Sequence, residues 1–262
     1  MPSPSLRSRH VLPGLMLLIA LTAMGWHGPI HQLVDYHHFA DRRGWLGIPH
    51  TANVLSNLGF AIVGLWGLLQ RHPGGLPRRP EHAGYRLFFA ALLLTALGSG
   101  WYHLAPDNAR LVWDRLPIAL ACAGLLAAIG REHLGAGRWI TPVLALLGVT
   151  SVGWWRYTDL LGANDLRPYL LLQLMPLVLI PIVQWQAGAP WAQRRAFLLA
   201  MVCYVMAKAC ELADHTILDN VLLVSGHTLK HLLATVAAAL VLHARFTAAG
   251  PRAPARRLGR PR

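Results

Sequence analysis

The sequence predicts an all-α, polytopic membrane protein: a bundle of seven helices preceded by one extra N-terminal helix. Of its 262 residues, 55% are hydrophobic and only 13% are charged. The apolar residues occur in long blocks, and about 20 such residues span a bilayer as a helix. Little chain is left over for a soluble domain. The eight blocks are residues 11–27, 52–70, 86–104, 111–130, 139–155, 168–185, 195–213 and 221–245.

Polar segments divide the chain around these blocks. We expect a basic N-terminus at 1–10, the extra helix at 11–27, an outer loop at 28–50 and a seven-helix core at 51–246. A basic, Pro-rich and disordered tail follows at 247–262. The first block has a basic start and a short apolar core, which also fits a secretory signal peptide. We favour an uncleaved helix, and the predicted core is the same in both cases.

The net charge of +13 reflects membrane topology rather than nucleic-acid binding. With eight helices both termini lie on one side, and that side collects sixteen of the 24 lysines and arginines. The opposite side collects six. Because positive residues concentrate in cytoplasmic loops, we expect a cytoplasmic C-terminus. The three cysteines lie inside apolar blocks without a CxxC spacing, so neither a disulfide framework nor a thiolate metal site is predicted.

In this topology nearly every intramembrane polar residue falls at one depth, in the outer leaflet. Polar residues that only supported the fold would not segregate by depth so consistently. One site is the simpler interpretation, because polar groups inside a membrane are costly without a function or a partner. The residues concerned are Asn53, Ser56, Asn57, Ser99, His103, Asp114, Lys208, Glu211, His227, Lys230 and His231.

Two of these residues have the spacing of a metal site. His227 and His231 are four residues apart, so on a helix they share a face and both imidazoles reach one ion. The pair alone is weak, since about one such pair is expected by chance among 14 histidines. His103 lies at the same inferred depth and offers a third ligand. Three protein ligands with an open fourth position describe a catalytic zinc site.

Hydrolysis at such a metal needs a base for its water and a donor for the developing oxyanion. Ser99 lies one turn before His103 on the same helix face and is the candidate donor. Asp114 follows a short turn and is the candidate base. Each has a structural alternative: Asp114 as a hydrogen-bond partner of a histidine, and Ser99 as a small residue at a close helix contact.

A supporting polar network is predicted around these residues. For Asn53 and Asn57 interhelical hydrogen bonding is the favoured role. Lys208 and Glu211 resemble an internally satisfied ion pair. Lys230 points away from the face of the two histidines, so we expect it to pair with Glu211 or to reach the lipid headgroups.

Three segments, "NVLSNLGF", "GSGWYHLAPDNARLVWDRLP" and "SGHTLKH", resemble the alkaline ceramidases. They also resemble the wider CREST superfamily of seven-helix membrane hydrolases, which includes the progestin and adiponectin receptors. The resemblance covers roughly residues 35–245, with its elements in the family's order. It implies zinc held by the three histidines, with Ser99 and Asp114 beside it. The implied reaction cleaves the amide bond of a ceramide, taken from the bilayer, into a sphingoid base and a fatty acid.

Some features depart from that family. His50 stands where the family's calcium site has a glutamate, and the preceding loop offers only Asp35 and Asp41, which leaves calcium binding in doubt. The short loops and the Ala/Leu/Arg-rich composition suggest a bacterial, inner-membrane member. Many bacteria lack ceramides, so another amide- or ester-linked lipid also fits.

Two alternative functions remain open at this stage. One is a receptor or signalling member of the same superfamily. The other is a bis-histidine haem or copper electron carrier. Ser99 and Asp114 favour hydrolysis, because neither has a task in electron transfer.

Overall fold

The computed structural model describes residues 8–70 and 81–247. The predicted basic N-terminus, up to residue 7, and the predicted disordered tail, from residue 248, lie outside these ranges. Regular structure within them is entirely α-helical, without a β-strand, which confirms the predicted all-α class. The helices are α1 Ser8–His27, α2 Thr51–Leu55, α3 Leu58–Leu69, α4 His82–Leu104, α5 Asn108–His133, α6 Ile140–Leu160, α7 Arg167–Gln186, α8 Trp191–Leu212, α9 Asp214–Val221 and α10 Gly226–Thr247.

The helices fit an integral multi-pass membrane protein. Five spans in the described ranges are long and apolar enough to cross a membrane, and a sixth is reached if the bent pair α8–α9 counts as one. Helices α2 and α3 together form one of the five. Helices α6 and α10 fall outside this count, because polar residues lower their mean hydropathy. A helix thus lies at each of the eight predicted blocks, although composition qualifies only five or six as spans.

Two helix boundaries differ from the prediction. The second block is broken between α2 and α3, because the side chains of Ser56 and Asn57 donate to the Asn53 carbonyl, over 3.1 and 2.8 Å. Such side-chain bonds compete with the backbone donors that would continue a helix. The last block starts late: α9 ends at Val221, the next residue Leu222 has a positive φ of 62°, and α10 begins only at Gly226. The short helix α9 was not predicted.

Six helices form a closed ring. Helices α3, α4, α5, α7, α8 and α10 each contact the next, and α10 returns to α3. Helix α6 packs outside the ring against α5 and α7, and α1 packs against α7. The ring encloses a cavity of about 260 Å³ that all six helices line. The loop at 28–50 covers one end of the bundle, which we call the loop end.

Small residues bring α4 and α5 into backbone contact. A Cβ atom added to Gly98 would overlap the carbonyl oxygen of Trp113 in α5. Pro117 lies four residues further along α5 and has no N–H, so that carbonyl lacks its usual helical donor. A Cβ at Gly84 would likewise collide with the backbone of Ala128. Close approach of this kind is typical of membrane helices. It places Ser99, the residue after Gly98, directly against α5.

We expect Gly98→Ala to lower the thermal stability of the purified protein, because the added methyl group must displace the backbone of α5. Overpacking of this kind costs about 1–3 kcal/mol. Gly100→Ala is the matched control, since nothing lies within 4 Å of a Cβ added there. It should leave stability unchanged or slightly raised, because alanine favours a helix over glycine. Thermal unfolding in detergent measures both variants, and equal melting temperatures would contradict the close contact.

Candidate metal centre

Three histidines from two helices converge at the loop end. His103 lies near the C-terminal end of α4, and His227 and His231 lie in the first two turns of α10. The three ring centroids are 4.8, 4.9 and 5.1 Å apart, and all three side chains are buried. One nitrogen from each ring lies within 4.8 Å of the others. This group could hold a metal ion, and no other group of three does so in the described part of the chain.

The donor set fits a small tetrahedral ion. The Nε2 atoms of His103 and His227 are 3.2 Å apart. Two nitrogens bound to zinc at about 2.0–2.1 Å in tetrahedral geometry lie roughly 3.3–3.4 Å apart. A hydrogen bond between these two rings would also fit the distance, but it would leave His231 without a role in the cluster. A shared ion engages all three imidazoles at once.

The hydroxyl of Ser56 sets the tautomer of His231. Ser56 Oγ lies 2.8 Å from Nδ1 of His231, and the same hydroxyl donates its hydrogen to the Asn53 carbonyl. The ring therefore donates from Nδ1 to Ser56, which leaves the lone pair on Nε2 available to an ion. Nδ1 of His103, by contrast, is buried without a hydrogen-bond partner among the described residues. The sequence marked Ser56 as polar at the right depth but did not assign it this role.

The first turn of α10 is held by a buried carboxylate. Asp214 Oδ1 accepts the backbone N–H of His227 over 2.7 Å. A Cβ atom at Gly226 would overlap the carbonyl oxygen of Cys210, so only glycine permits this approach between α8 and α10. The start of α10 is thereby pressed against the end of α8. This packing places His227 and His231 opposite His103.

An aromatic side chain covers the three imidazoles. The ring centroid of Phe39, in the loop at 28–50, lies 4.7 Å from that of His103 and 4.4 Å from that of His227. Phe39 is itself buried. It therefore excludes water from the loop side of the cluster. Sequence reasoning missed Phe39, because a single aromatic residue in an irregular loop gives no periodic signal.

Hydrogen bonds fasten this loop to the neighbouring helices. The backbone N–H of Ala40 donates to Asp214 Oδ2 over 2.9 Å. The guanidinium of Arg43 donates to the carbonyls of Leu222 and Leu223, over 3.1 and 2.9 Å. Both contacts reach the segment that joins α8 to α10. The position of Phe39 therefore depends on the same segment as the histidines of α10.

Asp41 orients Arg43 for these contacts. Its two carboxylate oxygens accept from Nε and Nη2 of Arg43, over 2.9 and 2.7 Å. These hydrogen bonds hold the pKa of Asp41 below its ordinary value, because they stabilise the charged carboxylate. Of the two acidic residues that a calcium site in this loop would use, Asp41 thus already has a cationic partner.

Ser99 and Asp114 lie beside the cluster. Both are buried, and both line the cavity together with His231. Ser99 Oγ makes no hydrogen bond of normal geometry in residues 8–70 and 81–247, although the Asp114 carboxylate lies close to it. No hydrogen bond in these ranges joins Asp114 to a histidine. The position of Ser99 next to Gly98 also fits its structural alternative, close packing of α4 on α5.

The predicted supporting residues occupy two networks. Asn53 accepts the hydroxyl of Thr228 in α10 over 2.7 Å, which is an interhelical bond. Asn57 bonds within its own segment instead. Glu211 accepts from Lys208 and from Lys230, the latter over 2.8 Å. Glu211 and both lysines line the cavity.

Away from these polar groups the cavity is apolar. Its lining consists mainly of aromatic and aliphatic side chains, to which all six ring helices contribute. The cavity therefore suits a molecule with one polar end and an aliphatic chain. Representative lining residues are Phe88, Leu92, Ile180, Phe197 and Val241.

We expect Ser56→Ala to weaken metal binding about 10- to 100-fold, because His231 loses the partner that orients its ring. Titration of the stripped protein with Zn²⁺ against a chelator of known affinity measures the change. Ser151→Ala is the control: Ser151 is also buried, but its hydroxyl bonds to Gly148 of its own helix. Equal affinities for the two variants would contradict the role of Ser56.

We expect Asp41→Asn to loosen the loop at 28–50 in a pH-dependent way. Because the pKa of folded Asp41 is lowered, its stabilising contribution is complete above the unfolded value of about 3.9 and is lost as the pH falls through the folded value. The variant should therefore melt below the wild type at neutral pH, and the difference should shrink below about pH 4. Asp35→Asn, an exposed acid of the same loop, is the control and should melt like the wild type. A difference independent of pH would refute the ion pair as its cause.

The chain matches no protein-family model and no curated protein. What the site does therefore follows from its own donor atoms and their surroundings. These are three buried imidazoles, of which that of His231 lines a largely apolar cavity together with the hydroxyl of Ser99 and the carboxylate of Asp114.

Proposed function

We propose that the protein is a zinc-dependent membrane hydrolase that cleaves the amide bond of a ceramide-like lipid into a sphingoid base and a fatty acid. The observation that carries the proposal is the meeting of two features in one cavity. Of the cluster of His103, His227 and His231, His231 lines the polar end of the cavity, together with Ser99 and Asp114. The rest of the lining suits an aliphatic chain.

Zinc bound by the three imidazoles would polarise the amide carbonyl and acidify a water molecule. Asp114 accepts the proton from that water and returns it to the amide nitrogen as the C–N bond breaks. The hydroxyl of water thus ends on the acyl carbon and its proton on the amine, which balances the reaction. Ser99 donates its hydroxyl to the oxyanion that develops on the carbonyl oxygen.

The surroundings support this chemistry in two ways. Phe39 closes the cluster on the loop side, which strengthens electrostatic interactions within it by excluding water. Glu211 forms ion pairs with Lys208 and Lys230 at the polar end. The motif resemblance to alkaline ceramidases and the distribution of lysine and arginine support the same assignment. That distribution supports an outer-leaflet site and a cytoplasmic C-terminus in a bacterial inner membrane.

We expect about one zinc per chain in protein purified without chelators, and loss of that zinc in His231→Ala. Elemental analysis measures both. In turnover of a ceramide followed by mass spectrometry, Asp114→Asn should lower kcat by roughly 10²–10⁴-fold, and Ser99→Ala by about 10²–10³-fold. Both variants should keep their zinc, since neither residue is proposed as a ligand.

Ser151→Ala is the control for Ser99→Ala, because its buried hydroxyl lies in α6, outside the cavity lining. Finding iron together with a haem absorption band would refute the hydrolase and favour an electron carrier. Zinc without cleavage of any ceramide-like amide would refute the hydrolase and favour a receptor-type role.

A further inference from the structure

Arg115 is a buried cation that forms no ion pair within residues 8–70 and 81–247, where the nearby Asp114 interacts with it only through space. Its side chain is only 3% exposed, and its Nε and Nη1 atoms have no hydrogen-bond acceptor among the described residues. None of the ion pairs within those residues includes it. A buried charge with unmet donors is costly, and proteins normally pair such groups. The missing acceptor is therefore a feature that the fold alone does not explain.

Aromatic rings hold the guanidinium in place. Its central carbon lies 4.1 Å from the ring centroid of Trp155, 5.1 Å from that of Tyr36 and 5.5 Å from that of Tyr169. Cation–π contacts stabilise the charge and fix the plane of the group. They leave the donors of Nε and Nη1 unused. The side chain is thus held ready for an acceptor that the described residues do not supply.

The guanidinium borders the cavity of the metal centre. Arg115 lines it, as do Tyr36 and Tyr169 from the aromatic enclosure. Asp114, the candidate base, precedes Arg115 on α5 and lines the same cavity. A molecule in this cavity that reaches His231 therefore also comes close to Arg115.

Positive charge is in excess at this end of the cavity. Three cations line it: Arg115, Lys208 and Lys230. Glu211 accepts from both lysines, and Asp114 is the one other acid in the lining. The ion that the three imidazoles could hold would add further positive charge. An anionic ligand would redress this imbalance.

We propose that Arg115 binds an anionic oxygen group, a carboxylate or phosphate, on the lipid that occupies the cavity. The planar fork of a guanidinium matches the geometry of both groups. This deepens the proposed function, on which it rests, by naming the substrate class: an amide lipid with an acidic headgroup rather than a neutral ceramide. The carboxylate of the released fatty acid has the same chemistry and is the other source of such a group.

Binding of three lipids with one acyl chain tests the proposal and separates the two sources. N-palmitoylglycine carries a carboxylate headgroup, N-palmitoylethanolamine is its neutral counterpart, and palmitate represents the released acid. Affinities are measured on the full chain by displacement of a fluorescent fatty amide in a non-ionic detergent, which offers no competing anion. Cleavage of both amides is followed in the same samples.

The wild type should prefer N-palmitoylglycine to N-palmitoylethanolamine. Arg115→Gln should weaken binding of the acidic amide by roughly 10- to 100-fold, as expected for a charged hydrogen bond, and leave the neutral amide unchanged. Arg115→Lys should keep part of the preference. Arg110→Gln is the matched control. Arg110 also lies on α5 and its guanidinium lies over a tryptophan ring, that of Trp101 in α4, but Arg110 does not line the cavity.

If the affinity for N-palmitoylglycine falls in Arg115→Gln, the bound anion is the headgroup of the substrate. If only the affinity for palmitate falls, the bound anion is the carboxylate of the released product. No preference between the amides in the wild type together with palmitate binding that is independent of Arg115, or an equal loss for acidic and neutral amides in Arg115→Gln, overturns the proposal. Should Arg115→Gln fail to fold, the wild-type preference and Arg115→Lys decide. If binding of the acidic lipid depends on Arg115 but neither amide is cleaved, the anion site is supported and the hydrolase is refuted. If the amides are cleaved but binding does not depend on Arg115, the hydrolase is supported and the anion site is refuted.

Discussion

The geometry of the metal centre depends on the hydrogen bond between the Asp214 carboxylate and the backbone N–H of His227. A helix N-terminus presents unpaired N–H groups and attracts a negative charge, so a buried carboxylate there fixes where α10 begins. The second oxygen of Asp214 accepts from Ala40 in the covering loop. One side chain therefore sets both the histidines of α10 and the loop that carries Phe39. The absent Cβ of Gly226 permits the same contact sterically.

The apolar environment of the bundle accounts for the concentration of polar groups at the loop end. Away from water each polar atom needs a partner, and partners are easiest to supply where several helix ends meet. Glu211 illustrates this, because one carboxylate serves two lysines on different helices. The exceptions are therefore informative. Among the described residues, Ser99, Arg115 and Tyr204 line the cavity and carry buried polar atoms without a hydrogen-bond partner, and our proposals assign a ligand to the first two.

Sequence reasoning predicted the features that depend on periodicity and composition. Long apolar blocks locate the helices, and the spacing of His227 and His231 places both on one face of α10. Features that depend on tertiary contacts were not predictable in this way. The break at Ser56 arises from side-chain bonds to one carbonyl, and α9 is a short amphipathic helix too brief to stand out among apolar blocks. Phe39 reaches the imidazoles only because the loop is fastened to the segment between α8 and α10.

In the proposed function, two neighbouring residues on α5 would divide the work, with Asp114 in the chemistry and Arg115 in recognition of the lipid. Successive residues on a helix point about 100° apart, so Asp114 and Arg115 project in different directions from one rigid element. Asp114 shares the wall of the cavity with Ser99 and His231, whereas Arg115 lies among rings from α6, α7 and the loop. The distance between the reacting amide and an acidic headgroup would then be set by a single turn of helix. Since Gly98 and Pro117 bring α4 against that turn, the packing of α4 on α5 governs both groups together.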